Sequence, residues 1–192
     1  MKYTASTLKI LAVAAGFLVF GACNTATKNA GSSSLLTVDS LTGTTMDGTP
    51  GMILESDVST TTADSATAAL TASLINPSGG DGPSQYNNVT LTGYTIDFTL
   101  PDGTGTAGTD VPNSVEGVCS TLLIEIGKTV SVTFAAVPAE LKSAAPLSGW
   151  VGSTTEHTII AHVTFIGRDG SNHEVKTTGQ LTIVFSDYPD VI

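Results

Sequence analysis

The side chains able to do chemistry in this chain are few and scattered. Among 192 residues there are three His, two Cys and one Trp, and Arg168 is the only arginine. His157 and His162 lie five residues apart in a run of alternating apolar residues, so on a strand they point to opposite faces. His173 follows in a turn-rich stretch, and no acid stands at ligand spacing from any of the three, so a zinc site has no converging donors. His-Glu-x-x-His, Gly-x-Ser-x-Gly and Cys-x-x-Cys-His are all absent. Their absence removes the helical metalloprotease pair, the strained serine elbow and covalent haem attachment. No glycine loop is followed by Lys-Ser or Lys-Thr, so phosphate has no cradle. The chain is expected not to be an enzyme.

Two softer chemistries remain. Asp102, Asp110 and Asp169, together with Asp187 and Asp190, fall in loops or at strand ends, where oxygen ligands for calcium gather. The same positions suit aspartates that cap turns by local hydrogen bonding. EF-hand spacing is not met, because Ala107 stands at the sixth position counted from Asp102, where that loop needs Gly. Trp150, with Gly149 before it and Gly152 beyond it, is a candidate ligand-binding platform and equally a candidate loop anchor. No cofactor is expected, with calcium the one ion kept open.

Composition narrows the partners. Seventeen acids against seven bases give a formal charge of −10. A chain so poor in cations cannot neutralise a run of phosphates, which excludes nucleic acid. Hydrophobic residues make up 41% and charged ones 12%, the wrong balance for disorder. The length suits one domain with a core that needs no disulfide staples.

The elements that must carry these residues read as strands. Ala66, Ala68, Leu70, Ala72 and Leu74 alternate with smaller or polar neighbours, as do Val130, Val132 and Phe134. Ile159, Ala161, Val163 and Phe165 do so next, then Leu181, Ile183 and Phe185. Period two with Thr on the other face describes antiparallel strands with one wet side. Between residues 89 and 100 the apolar phase slips: Val89 and Leu91 are odd, whereas Tyr94, Ile96, Phe98 and Leu100 are even. Gly93 at the switch reads as a bulge, or as a bend joining two short strands. In residues 118–125 the alternation sets Cys119 with Thr121 and Glu125, opposite Val118, Leu122 and Ile124. Burial of Cys119 as a small hydrophobe and a crosslink between two copies both stay open there.

Turn chemistry separates the runs, at residues 76–84, at Pro101-Asp102-Gly103 and at residues 168–172. The Gly/Thr-rich segment 104–115 is expected to be a long mobile loop. Only residues 138–145 look helical, opened by Pro138 and stopped by Pro146. Six strands, with two more at about 36–39 and 52–58, predict an all-β fold, a single antiparallel β-sandwich.

The strand order, with one helical turn in the connection before a final hairpin, resembles immunoglobulin-like and fibronectin type III-like modules over about residues 65–187. The Cys…Trp…Cys signature of antibody domains is absent. Ala161-His162-Val163-Thr164-Phe165, Gly167-Arg168-Asp169-Gly170 and Gly179-Gln180-Leu181-Thr182-Ile183 followed by Phe185-Ser186-Asp187-Tyr188 are similar to a segment that recurs in small, uncharacterised bacterial lipoproteins.

The N-terminus agrees with that second resemblance. Lys2 and Lys9 precede an apolar run from Ile10 to Phe20, too short to serve well as a permanent span. Phe20-Gly21-Ala22-Cys23 then resembles a lipobox, with Phe20 where the family carries Leu, Val or Ile. The resemblance implies cleavage after residue 22 and a diacylglycerol thioether on Cys23. Asn24, rather than Asp, next to that Cys implies the outer membrane. Losing Lys2 and Lys9 takes the charge from −10 to −12. The domain plan is thus a signal peptide at 1–22, a lipidated start and flexible tether at 23–34, and the sandwich at 35–192. Treated as a free coil, the 11 residues after Cys23 reach roughly 18 Å.

The expected function is that of a membrane-anchored envelope lipoprotein, its sandwich a non-catalytic binding or interaction module for a protein partner. Two alternatives stand beside it: a structural subunit of an envelope complex or filament, and a calcium- or glycan-binding adhesin-like domain.

Overall fold

Alternating apolar residues leave water together most simply as the facing sides of two stacked sheets. The computed structural model describes residues 25–27, 31–78 and 82–188, and these have that form. The strands are β1 (Thr25–Thr27), β2 (Ser34–Thr44), β3 (Pro50–Gly51), β4 (Ile53–Asp57), β5 (Asp64–Leu74), β6 (Val89–Thr99), β7 (Val115–Ile124), β8 (Thr129–Val137), β9 (His157–Asp169) and β10 (Glu174–Ser186). One sheet runs β3-β2-β5-β8; the other runs β1-β10-β9-β6-β7, with β4 also paired to β10. β4 lies parallel to β10, and the other strand pairs are antiparallel.

With β2-β5-β8 facing β10-β9-β6-β7, the two sheets pack as an all-β sandwich. The connection from β8 to β9 crosses between the sheets and carries α1 (Ala139–Lys142). That helix is one turn, shorter than residues 138–145. Pro138 caps it, and beyond Ser143 the chain passes into a 3-10 turn at Leu147–Gly149. Lys142 on this helix is buried: its Nζ lies 2.9 Å from Asp64 Oδ2 and donates to Thr60 Oγ1 at 2.7 Å. A cation out of water needs such partners.

The inward sets read from the alternation fill the core. Ala66, Ala68, Leu70 and Ala72 of β5 meet Ile159, Ala161, Val163 and Phe165 of β9 and Leu181, Ile183 and Phe185 of β10 in one cluster. Tyr94 and Phe165 from one sheet meet Phe134 from the other, with centroids 5.2 Å (Tyr94–Phe134) and 5.4 Å (Phe134–Phe165) apart. β2 is longer than the apolar pattern shows, Ser34–Thr44 against 36–39, whereas β4, Ile53–Asp57, falls within the expected 52–58. β2 shifts register between Val38 and Ser40, so its buried residues change phase from Leu36 and Val38 to Leu41.

At Gly93 the strand is continuous and bulged. β6 runs unbroken from Val89 to Thr99, and its register shifts between Leu91 and Gly93 against both β7 and β9. Val89 and Leu91 therefore face the core together with Tyr94, Ile96 and Phe98.

Two expectations need correction. In β7 the register passes from Leu122 opposite Leu91 to Val118 opposite Gly93, and the irregular stretch between reverses the alternation. Val118 faces solvent, while Cys119 packs against the core. The segment 104–115 is a built loop rather than a long free one. Val111 is buried, Gly108 N donates to Val111 O at 2.8 Å, Asp110 Oδ2 accepts from Thr106 N at 2.9 Å, and β7 begins at Val115. Ser32 and Ser34, counted with the tether, are buried, their hydroxyls donating to Asp169 and to the Asn87 carbonyl. Residues 1–22 and Cys23 lie outside the described residues.

Gly117 is where this packing is tightest. It pairs with Tyr94, and a Cβ there would fall onto the Tyr94 ring; one on Gly93 would meet the Gly117 carbonyl at 2.8 Å. Gly117→Ala is expected to cost about 2–3 kcal/mol by forcing Tyr94 from its place. Urea unfolding measures it, and a variant as stable as the parent would show that the ring has room to move.

Candidate functional site

The structure gives the sequence-selected residues internal employment and does not bring them together. Asp169 is buried at the end of β9, and each of its oxygens is engaged. Oδ1 accepts the amides of Ser171 and His173, both at 2.9 Å; Oδ2 accepts the Ser32 hydroxyl at 2.8 Å and faces His173 Nδ1 at 3.2 Å. Asp169 thereby closes the β9–β10 hairpin and ties the entering chain to it. Burial pushes its pKa up. The His173 amide, the Ser32 hydroxyl, the His173 ring and the Ser171 amide outweigh burial and hold it below the ordinary carboxylate value.

Asp102 lies far from Asp169 in sequence and serves a different turn. Its Oδ1 accepts the hydroxyl and amide of Thr104, which lower its pKa. Asp110 takes the Thr106 amide, and Asp187 takes the Gly152 amide. Asp190 and Cys23 lie outside the described residues. Among the described residues, no three His, Cys, Asp or Glu side chains converge as metal ligands.

Trp150 serves as an anchor. Its ring stacks on His157 with centroids 3.9 Å apart and planes 5° from parallel, and it tilts onto Phe185 at 6.0 Å. On the opposite face of β9, His162 Nε2 lies 3.0 Å from Thr99 Oγ1 and its Nδ1 lies 3.3 Å from Gln180 Nε2. Burial pushes the Cys119 thiol pKa up, which lowers its thiolate fraction and its readiness to crosslink.

What remains available is an edge. On one flank the sandwich is covered: β10 carries β1 along Lys176–Thr178 and β4 along Thr182–Ser186, and β3 pairs with the end of β2. On the other flank β7 pairs with β6 alone and β8 with β5 alone among the described strands. Such edges are usually guarded by Lys, Pro or inward-pointing charge. β7 holds one charged residue, Glu116, and β8 holds none.

Val118 on β7 is 90% exposed and Leu123 is 53% exposed. Beside Val118 the bulge opens a cleft of about 460 Å³, lined by Thr92, Gly93, Thr95, Glu116, Val118 and Ile166 among others. An unpaired edge offers backbone donors and acceptors to an extended chain, and a cleft beside it can select a side chain. Sequence reasoning missed this site. Its one signal was negative, the lack of Lys and Pro through residues 115–124 and 129–137.

No family model, curated protein or solved structure matches the chain. No helix among the described residues is long and apolar enough to cross a membrane.

Asp169 yields a pH test. Because the fold favours its charged form, its contribution is complete above the unfolded carboxyl pKa of about 3.9 and fades as pH falls through the lower folded value. Asp169→Asn is expected to lose about 1–3 kcal/mol at pH 7 and much less at pH 3. Equal deficits at both pH values in urea titrations would show that the charge is not what matters.

Proposed function

We propose that this chain is an envelope lipoprotein held in a membrane through Cys23, and that its sandwich is a non-catalytic binding module. The observation that carries the binding half is the open β7 edge, uncharged but for Glu116 and flanked by the Gly93 cleft. It suits an extended segment of a partner protein added as a further strand, with a side chain of that segment in the cleft. The anchoring half rests on sequence: Lys2 and Lys9, the apolar run, and Phe20-Gly21-Ala22-Cys23. Two or three acyl chains hold such a protein stably where one would not.

The scaffold supports recognition better than catalysis. Asp102, Asp110 and Asp169 are committed to turns, His157 to Trp150 and Lys142 to Asp64. An edge strand equally fits a subunit that repeats or caps an assembly, and a fixed stoichiometry on purification would identify that form of the same contact.

The anchoring half predicts, for the mature protein, an intact mass that begins at Cys23 and includes diacylglycerol; an unmodified Cys23 overturns it. For the binding half, a photocrosslinker at the exposed position 121 of β7 in native envelopes is expected to capture an extended segment of one partner. Val118→Lys should reduce that capture at least tenfold with a Tm change below about 2 °C, since the side chain is exposed. Capture unaffected by Val118→Lys, or crosslinks arising only from residues 104–110, would move recognition off the edge.

A further inference from the structure

The covered flank carries an apolar patch of its own, beside the point where the anchored end of the chain arrives. β1 runs antiparallel to β10, with Thr25 opposite Thr178 and Thr27 opposite Lys176, so the N-terminal end of β1 is the end nearer Thr182. Thr182 is paired with Ile53, the first residue of β4. β4 runs the other way along the same edge, so Met52 points back toward the arriving N-terminus. Four residues of β10 separate the two points, about 14 Å at 3.4 Å per residue. Asn24 and Cys23 supply about 7 Å of chain.

At this junction Met52 is 71% exposed, Met46 47% and Ile53 43%. The Met46 amide donates to Glu55 Oε2 at 2.7 Å, which holds the turn carrying Met46 against β4. Among the large exposed apolar side chains of the described residues, Met52 and Ile53 stand at the start of β4 and Met46 in the turn bonded to it, while Val118 lies at the opposite edge of the same sheet.

Given the anchoring of Cys23 proposed above, on which this step rests, we infer that Met46, Met52 and Ile53 dock on the bilayer surface that holds the chain's own lipid. A coil of 11 residues would let the domain stand clear. A strand that starts two residues after the acylated Cys does not, and it brings the β4 edge down to the headgroups. Once the lipid is inserted, docking is an intramolecular event, so a small apolar patch suffices. Asp47 and Glu55 border the patch, which fits a zwitterionic surface and opposes an anionic one. Laid down this way, the sandwich turns β7 away from the membrane and toward its partner.

Methionine oxidation tests this without a label. Met46 and Met52 are the only methionines after residue 22. The full acylated protein is placed in vesicles of phosphatidylcholine and phosphatidylethanolamine and treated with chloramine-T, a water-soluble oxidant. Oxidation of Met52 and Met46 is expected to slow at least fivefold relative to the unacylated Cys23→Ser protein mixed with the same vesicles. A methionine introduced by Val118→Met should oxidise equally fast in both. Acylated protein in vesicles with Met52 unprotected overturns the docking and leaves the anchoring standing, whereas an intact mass without lipid overturns both. Protection that appears in vesicle-free detergent and grows with protein concentration would mean a second copy covers the patch, and it overturns the bilayer as occupant. Equal protection at position 118 also overturns it, because the whole domain would then be shielded rather than one edge.

Discussion

Strand β6 has to put residues from two phases of its own sequence onto a single face, and the rest of the sandwich adjusts to that requirement. The extra residue before Gly93 brings Val89 and Leu91 into the core with Tyr94, Ile96 and Phe98. Both neighbouring strands shift register at the same level. A side chain at Gly93 would strike the Gly117 carbonyl, and one at Gly117 would strike Tyr94, so Gly117 makes room for the ring and Gly93 for the Gly117 backbone. The Tyr94 hydroxyl then donates to Ala135 O at 3.2 Å in the opposite sheet. Tyr94, Phe134 and Phe165 form a tilted cluster across the gap, where aromatic pairs contribute about 0.5–1.5 kcal/mol each beyond the area they bury.

The same bulge shapes the surface. Opposite it, β7 loses its regular alternation, turns Val118 to solvent and leaves a cleft beside an unguarded edge. The other flank is closed by β1 and β4 on β10, and the chain's entry from the N-terminus falls there. One flank therefore ends in the short strands β1, β3 and β4, and the other in the long strands β7 and β8. The acids do not offset this asymmetry, since Asp169, Asp102 and Asp110 serve loops and turns.

The parts of the fold legible in the sequence were those in which burial alone dictates the residue. The alternating sets of β5, β9 and β10, and the phase slip on β6, follow from one face being dry. Where a strand changes phase without a glycine to mark it, the pattern fails: it shows four of the eleven residues of β2 and turns Val118 inward, although Cys119 packs on the core as a small hydrophobe should. The roles of Asp169 and Trp150 depend on partners far away in sequence, Ser32 for the first and Phe185 for the second, which no local spacing reveals. The open edge left only the absence of charge as its trace, because what defines it is a neighbour that is not there.

β10 has partners on both sides over most of its length, whereas β7 has one among the described strands. Hydrogen exchange of the mature chain at pH 7, read by fragment mass, addresses this difference directly. Alternate amides of an antiparallel edge strand point outward, unbonded. About half of the amides in residues 115–124 are then predicted to exchange early, while those in residues 174–186, bonded on both sides over most of their length, stay protected. A 115–124 fragment as slow as 174–186 would contradict the account, since β7 would then be covered in the free protein and have no edge to offer.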